Sequence, residues 1–263
     1  MGLPEPVLSF CYAASELVPG TRRTPWGFVT VDPRFPSIWD ANNATVLEPS
    51  PDLRAEDIDA VLTAELRRAG ATHHHVEIWE TSVESPALRA MRCRGGRTRP
   101  DVVMMSERIV DAEPGAVEVR EVDPDEDFWP WVRASLNEFG TEHSNEVLDQ
   151  LEGRTRTVFI PAGLRWFVGF VEGDRAGYTS LLSLRGVGYL DNVVTMPQFR
   201  GRGVASATVG RAIRASHASG NHALFLLTEE DNPARRLYER LGFRVRAKVE
   251  SFTRPMSDED RVD

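Results

Sequence analysis

Apolar and polar positions alternate with two different periods along this chain, and the changes of period mark its elements. Between Ala55 and Ala69, the residues Ile58, Val61, Leu62 and Leu66 recur near helical spacing, which predicts a helix capped by Asp52 and stopped by Gly70. His75–Trp79 alternates in period two and predicts a strand. Ser85, a capping residue, precedes Pro86 at the first position of a second helix, which ends near Gly95-Gly96. Val102–Met105 follows as a strand. Further on, Val117–Val122 alternates cleanly as a strand, and Asp123 or Asp125 caps a helix carrying Phe128, Trp131, Val132 and Leu136. A shorter helix covers Glu142–Leu151. Leu164–Val171, Ala176–Leu184 and Gly188–Thr195 form a three-strand meander, its first hairpin turning at Glu172-Gly173-Asp174. A helix over 204–219, a buried strand at Leu224–Leu227, a helix opened by Asn232-Pro233-Ala234 and stopped by Gly242, and a last strand Phe243–Val249 complete the pattern. Residues 1–53 are patterned more weakly: Trp26–Val31 and Ala44–Leu47 read as strands, with Trp39–Asn43, polar and aromatic together, a structural corner or a binding loop between them.

The stretch Tyr189–Ala205 concentrates the chemistry. Its apolar run Val193-Val194-Thr195-Met196 is a buried strand stopped by Pro197, which has no N–H to give to a ladder. Gln198-Phe199-Arg200-Gly201-Arg202-Gly203 then leads directly into a helix. A strand, a glycine loop and a helix in that order aim main-chain N–H groups and a helix N-terminus at an anion, usually a phosphate. A P-loop would need a lysine after the last glycine, and none follows Gly203. A dinucleotide fold would need a small Gly or Ala where Ser206 stands, and an acid where Leu226 stands.

Composition narrows the classes. The 263 residues are 41% hydrophobic and 27% charged, enough for a globular core in one large or two ordinary domains. A net charge of -9 argues against a general nucleic-acid binder. Cys11 and Cys93 are too few for a disulfide framework, which suits a reducing cytoplasm. No basic-then-apolar leader and no run of 18 apolar residues is present, so neither signal peptide nor membrane span is expected. His73-His74-His75 would point alternately to opposite strand faces. They are therefore expected as the solvated entry to a strand rather than as one metal site, and no metal is expected.

Two motifs carry a family resemblance. Gln198-x-x-Gly201-x-Gly203-x-Ala205, with Thr195-Met196-Pro197 upstream, resembles the pyrophosphate loop of the GNAT acyltransferase superfamily. Asn232-Pro233-Ala234-x-x-Leu237-Tyr238-x-x-Leu241-Gly242-Phe243 resembles that superfamily's second signature helix. The resemblance implies a mixed α/β (α+β) fold, a central sheet flanked by helices, and acetyl-CoA as cosubstrate. It places the coenzyme pyrophosphate on Gln198, Arg200, Gly201, Arg202, Gly203, Val204 and Ala205. The main chain of a bulged strand, at Val193, Val194 and Thr195, would then serve the thioester carbonyl and pantetheine. Tyr238 matches the tyrosine that protonates the leaving thiolate, Asn232 matches a cofactor contact that is also an ordinary N-cap, and Asp191 matches an acidic residue acting as base. Glu138, Glu142 and His143 fall in the region that shapes the acceptor pocket. The implied reaction is acetylation of a primary amine of a small molecule or peptide, and a homodimer is one expected partner state. A non-catalytic acyl-CoA-binding module that kept the loop is the alternative.

The front half mirrors the back. Ser85-Pro86-Ala87 to Gly95 aligns without a gap on Asn232-Pro233-Ala234 to Gly242, at an offset of 233 − 86 = 147. Helix 55–69, Gly70 and strand 75–79 likewise mirror helix 204–219, Gly220 and strand 223–228. Met91 takes the place of Tyr238, and no glycine loop precedes the first helix. Residues 1–110 are thus expected to be a degenerate, catalytically silent copy, 115–255 the working domain, 106–116 the connection between them, and 256–263 a frayed acidic tail.

Overall fold

The computed structural model describes residues 2–82, 84–106, 117–137, 143–257 and 260. In chain order the elements are α1 (Glu5–Ser15), β1 (Arg22–Thr24), β2 (Gly27–Thr30), β3 (Asn43–Val46), α2 (Ala55–Ala69), β4 (His73–Trp79), α3 (Pro86–Cys93) and β5 (Arg97–Ser106). There follow β6 (Glu118–Val122), α4 (Phe128–Asn137), α5 (Asn145–Arg154), β7 (Arg165–Val171), β8 (Asp174–Leu184), β9 (Val187–Thr195), α6 (Val204–Ala218), β10 (Ala223–Glu229), α7 (Arg235–Arg240) and β11 (Arg244–Pro255). The fold is mixed α/β, as the pattern of periods indicates. The connection at 107–116, together with Glu138 and Glu142, lies outside the described residues.

The chain forms two compact units that are not consecutive stretches. One gathers residues 1–103, 228–231 and 245–263; the other gathers 104–227 and 232–244. In the first unit, β2 pairs antiparallel with β1 and β3, β3 runs parallel to β4, and β11 pairs antiparallel with β4 from Val249↔Trp79 to Pro255↔His73. The last strand is therefore longer than expected and ladders with β4, whose edge would otherwise hold unpaired main-chain groups. Ile58, Leu62 and Leu66 of α2 are fully buried against Ala44, Val46, Val76 and Ile78 of the sheet, with Leu88 of α3 and Phe252 of β11 in the same cluster. Met256, at the head of the expected tail, is also part of this core.

Three local expectations change in this unit. The helix α1, which the sequence did not announce, sits after Pro4 with Val7, Phe10 and Cys11 on its buried side. Asp52 does not cap α2. Its N–H is drawn into a turn on Ser50 Oγ at 3.2 Å, and it is Asp57 that accepts the Arg54 N–H at 3.0 Å. The three histidines are not solvated: each is 3% exposed. β4 lies inside the sheet, between β3 and β11, so its first residues are covered as completely as its middle. Burial and the neighbouring His75 push the His73 imidazole down to about 4, so it stays neutral.

In the second unit, β6, β7, β8 and β9 pair antiparallel in sequence order, and β10 joins β9 in parallel. The turns at Glu172-Gly173 and Arg185-Gly186 have positive φ at both residues, the conformation that matches the twist of paired strands. Asp125 opens α4 through its Oδ1, which accepts the Asp127 N–H at 3.2 Å, while Ser144 caps α5. An aromatic cluster of Phe128, Trp129, Trp166 and Tyr178 fills the core between α4 and the sheet, with Phe128–Trp166 centroids 5.1 Å apart.

Candidate active site

The irregularity in β9 lies where the expected site residues converge. Its register with β8 runs Tyr178↔Val194 and Ser180↔Asp191, so three steps along β9 answer two along β8. The extra residue makes a bulge, and Asn192 adopts a left-handed φ of 52° within it. Asparagine suits that conformation because its short amide can bond locally. Here Asn192 Nδ2 donates to Ser180 Oγ at 3.0 Å and to Asp191 Oδ2 at 3.2 Å. On the opposite side of β9, the parallel ladder with β10 ends at Leu226↔Leu190. The segment Asp191–Thr195 runs on beyond that ladder.

Helix α6 starts beside this end of β9. The Met196 N–H donates to Ala176 O at 2.9 Å, a single 3-10 turn spans Pro197–Phe199, and the chain then passes through Gly201 (φ 76°) and Gly203 (φ 82°). A side chain in that conformation costs about 1–2 kcal/mol. A Cβ on either glycine would meet nothing within 4 Å, so the main chain there is bare rather than packed. Gly203 is the N-cap of the 15-residue α6 and supplies no side-chain cap. The first-turn N–H groups and the positive end of the helix dipole are therefore directed at the loop. Bare main-chain N–H groups at a helix N-terminus suit an anion.

Small residues of the sheet hold the helix in place. A Cβ at Gly177 of β8 would lie 2.3 Å from Val194 O and 2.9 Å from Val204 Cγ1, and one at Gly188 of β9 would lie 2.6 Å from Ser216 Oγ. The helix thus packs closely along the sheet, and its N-terminus is fixed against the bulge.

Around this framework the other expected residues are distributed as follows. Val194 is buried in the aromatic core and Val204 packs with Ala176, Met196 and Phe199. Val193, Thr195 and Ala205 are half-buried, whereas Gln198, Arg200 and Arg202 are exposed, Arg202 reaching Glu172 Oε1 at 2.8 Å. Tyr238 lies in α7, 6% exposed, with its ring edge-on to Phe243 at 6.3 Å. Burial first, and the negative charge of Asp191 second, push its hydroxyl up to about 12. The same carboxylate acts on Tyr178, whose hydroxyl, 2.7 Å from Ser135 Oγ, is also pushed up to about 12, chiefly by burial. Asp191 is exposed, yet within electrostatic reach of both tyrosines. The bulge, the glycine loop, Asp191 and Tyr238 thus belong to one unit. Asn232 Oδ1 accepts the Ala234 N–H at 2.9 Å and turns the chain into α7. His143 is half-buried. The residue that sequence reasoning missed is Asn192, whose signal was an asparagine inside an apolar strand.

Comparison with known proteins bears on the family and the fold. A sequence profile of the Acetyltransferase (GNAT) family matches residues 121–243. The N-alpha-acetyltransferase MAK3 of Arabidopsis thaliana is 47% identical over 62 residues, 23% of this chain and 32% of its own. The matched segment is thus about a third of that curated relative's length. Among solved structures, a GCN5-related N-acetyltransferase from Kribbella flavida superposes with a TM-score of 0.62 at 17% identity over 95% of each chain. A tandem GNAT protein from the clavulanic acid biosynthesis pathway, solved without AcCoA, gives a TM-score of 0.55 at 16% identity over 90% of this chain and 84% of its own. At those identities the structures speak for the fold. Residues 121–243, just under half of the chain, thus carry the match to the Acetyltransferase (GNAT) family.

Proposed function

We propose that the second unit transfers an acetyl group from acetyl-CoA to a primary amine of a small molecule or peptide. The observation that carries this reading is the meeting, at one end of β9, of a main-chain bulge with an uncapped helix N-terminus behind left-handed glycines. Acetyl-CoA brings the acetyl group activated as a thioester. Gly201, Gly203 and the first turn of α6 hold its pyrophosphate through main-chain N–H groups. Main-chain N–H groups of the bulge at Val193–Thr195 donate to the carbonyl oxygen, where negative charge develops as the amine nitrogen attacks. Asp191 takes the proton of the incoming ammonium, directly or through a water. Tyr238 gives its hydroxyl proton to the sulfur as the C–S bond breaks, and the tyrosinate regains a proton from the former amine nitrogen, directly or through water, as the amide forms.

Burial suits Tyr238 to that task. A hydroxyl raised from its ordinary value to about 12 stays protonated across the working range, so titration of this acid leaves kcat untouched. The pH profile of kcat is expected to rise as the amine and its base deprotonate, and then to hold a plateau to about pH 10. The overall proposal is tested by supplying purified protein with acetyl-CoA and a panel of amines while following free thiol. Turnover on a primary amine is the expected result. Cofactor binding without turnover on any amine would replace the enzyme with an acyl-CoA-binding module.

We further propose that the first unit is a degenerate copy of the same fold. α2 and α6 are both 15 residues long and both are followed by a left-handed glycine, Gly70 at φ 67° and Gly220 at φ 79°. β4 and β10 are both 7 residues long. The first unit has Arg54 rather than a glycine ahead of its helix, and a buried Met91 in the place of Tyr238. It therefore has neither the cradle nor the acid.

A further inference from the structure

The acetyl-transfer reading makes no use of a polar cluster in the first unit. Asp40, on the 3-10 turn Trp39–Ala41, and His75 and Glu77, two residues apart on one face of β4, place one potential ligand atom each within 4.8 Å of one another. His75 is 3% exposed, and its Nε2 has no hydrogen-bond partner. Its 3.6 Å approach to Glu77 Oε1 is an electrostatic contact, too long for a hydrogen bond. A buried imidazole nitrogen without a partner is costly unless something else satisfies it.

The surroundings of these groups match those of a metal ligand set. His75 Nδ1 lies 2.7 Å from Thr253 Oγ1, on the neighbouring strand β11. With Nδ1–H donating to that hydroxyl, Nε2 presents its lone pair toward the two carboxylates, the outer-shell arrangement that fixes a metal-binding histidine. Glu77 is oriented in the same way, its Oε2 accepting from Trp79 Nε1 at 3.2 Å. The Trp39 indole stacks on the His75 ring at 5.9 Å and 25° and shields it from water. Around a zinc-sized ion with bonds of about 2.1 Å, ligand atoms stand roughly 3–3.5 Å apart. Binding therefore requires the three ligand atoms to draw closer together, with Asp40 the most exposed of the three.

We propose that Asp40, His75 and Glu77 bind one divalent first-row transition-metal ion such as Zn2+, with water completing its coordination. One imidazole and two carboxylates favour this class over Mg2+ and Ca2+, which prefer all-oxygen sets. The competing cation is Arg99, which is held on Asp101 at 2.8 Å and attracts both Asp40 and Glu77. The rival account, in which the two carboxylates serve only Arg99, leaves His75 Nε2 unsatisfied.

Isothermal titration of the chelator-stripped full chain with Zn2+ decides between them. One equivalent should bind, with affinity weakened about tenfold or more in Asp40→Asn and in Glu77→Gln, and less strongly in Thr253→Val, which removes the orienting hydroxyl. His217→Ala, at an exposed histidine remote in sequence from the cluster, should bind as the unmodified protein does. His75→Ala removes a buried group and risks unfolding the unit, so Asp40→Asn, at an exposed side chain, is the decisive variant. No stoichiometric binding, or one equivalent that Asp40→Asn leaves unchanged, overturns the proposal. The outcome is independent of acetyl-transfer activity.

Discussion

Replacing Tyr238 with phenylalanine is expected to lower kcat by about 10²-fold or more, while acetyl-CoA affinity and thermal stability stay close to those of the unmodified protein. The ring is packed against Phe243 and 6% exposed, and phenylalanine keeps that packing. What is lost, on the proposed mechanism, is the proton. The thiolate must then leave unprotonated or be served by water, and the cost falls on the chemical step. Steady-state kinetics beside calorimetric binding of acetyl-CoA separates the two effects. Full activity in Tyr238→Phe would remove this residue from the mechanism while leaving the cradle intact. A fall in affinity without a fall in kcat would make the tyrosine a binding group.

The second large effect is expected from a single methyl group. In Gly177→Ala the new Cβ would stand 2.3 Å from Val194 O, 2.9 Å from Val204 Cγ1 and 3.1 Å from Thr195 Cα. Two of those contacts are main chain and cannot rotate away. The bulged strand must therefore move off β8 or the start of α6 must lift from the sheet, at a cost of about 1–3 kcal/mol in stability. On the proposed mechanism, either displacement would misalign the bulge with the glycine loop, and a misplacement of about 1 Å is worth roughly 10²-fold in rate. Chemical denaturation and kcat/KM measured on the same preparation are expected to fall together. Gly173→Ala is the control: Gly173 sits in a hairpin turn with nothing within 4 Å of its Cβ. It should lose some stability to its positive φ without a comparable loss of rate.

Much of this site was legible in the chain because its determinants are local. Pro197 ends β9, Gly201 and Gly203 require positive φ, and Val204 begins a helical period. Each can be read within a few residues of itself. What escaped reading depends on partners far away in sequence. His73–His75 look like a polar strand entry, but their burial is set by β11, and Thr253 meets His75 across 178 residues. The pattern in 243–249 announces a strand without saying which strand receives it; the pairing with β4 decides that and carries the strand on to Pro255. The failure at α1 is different. Its apolar side, Val7, Phe10 and Cys11, is interrupted by Ser9 and Tyr12 and opened by two prolines that read more readily as loop than as helix start. Asn192 was passed over because bulges are built from register, and register belongs to the pair of strands rather than to either one.

The central claim is that acetyl-CoA is held by the bulge and glycine loop of the second unit and by no counterpart in the first. Amide hydrogen exchange with and without acetyl-CoA tests it directly. The account predicts slowed exchange across residues 193–206 and in the turn leading to Tyr238, with residues 54–70 unchanged. Protection at the start of α2, or none across 193–206 at saturating acetyl-CoA, would contradict it.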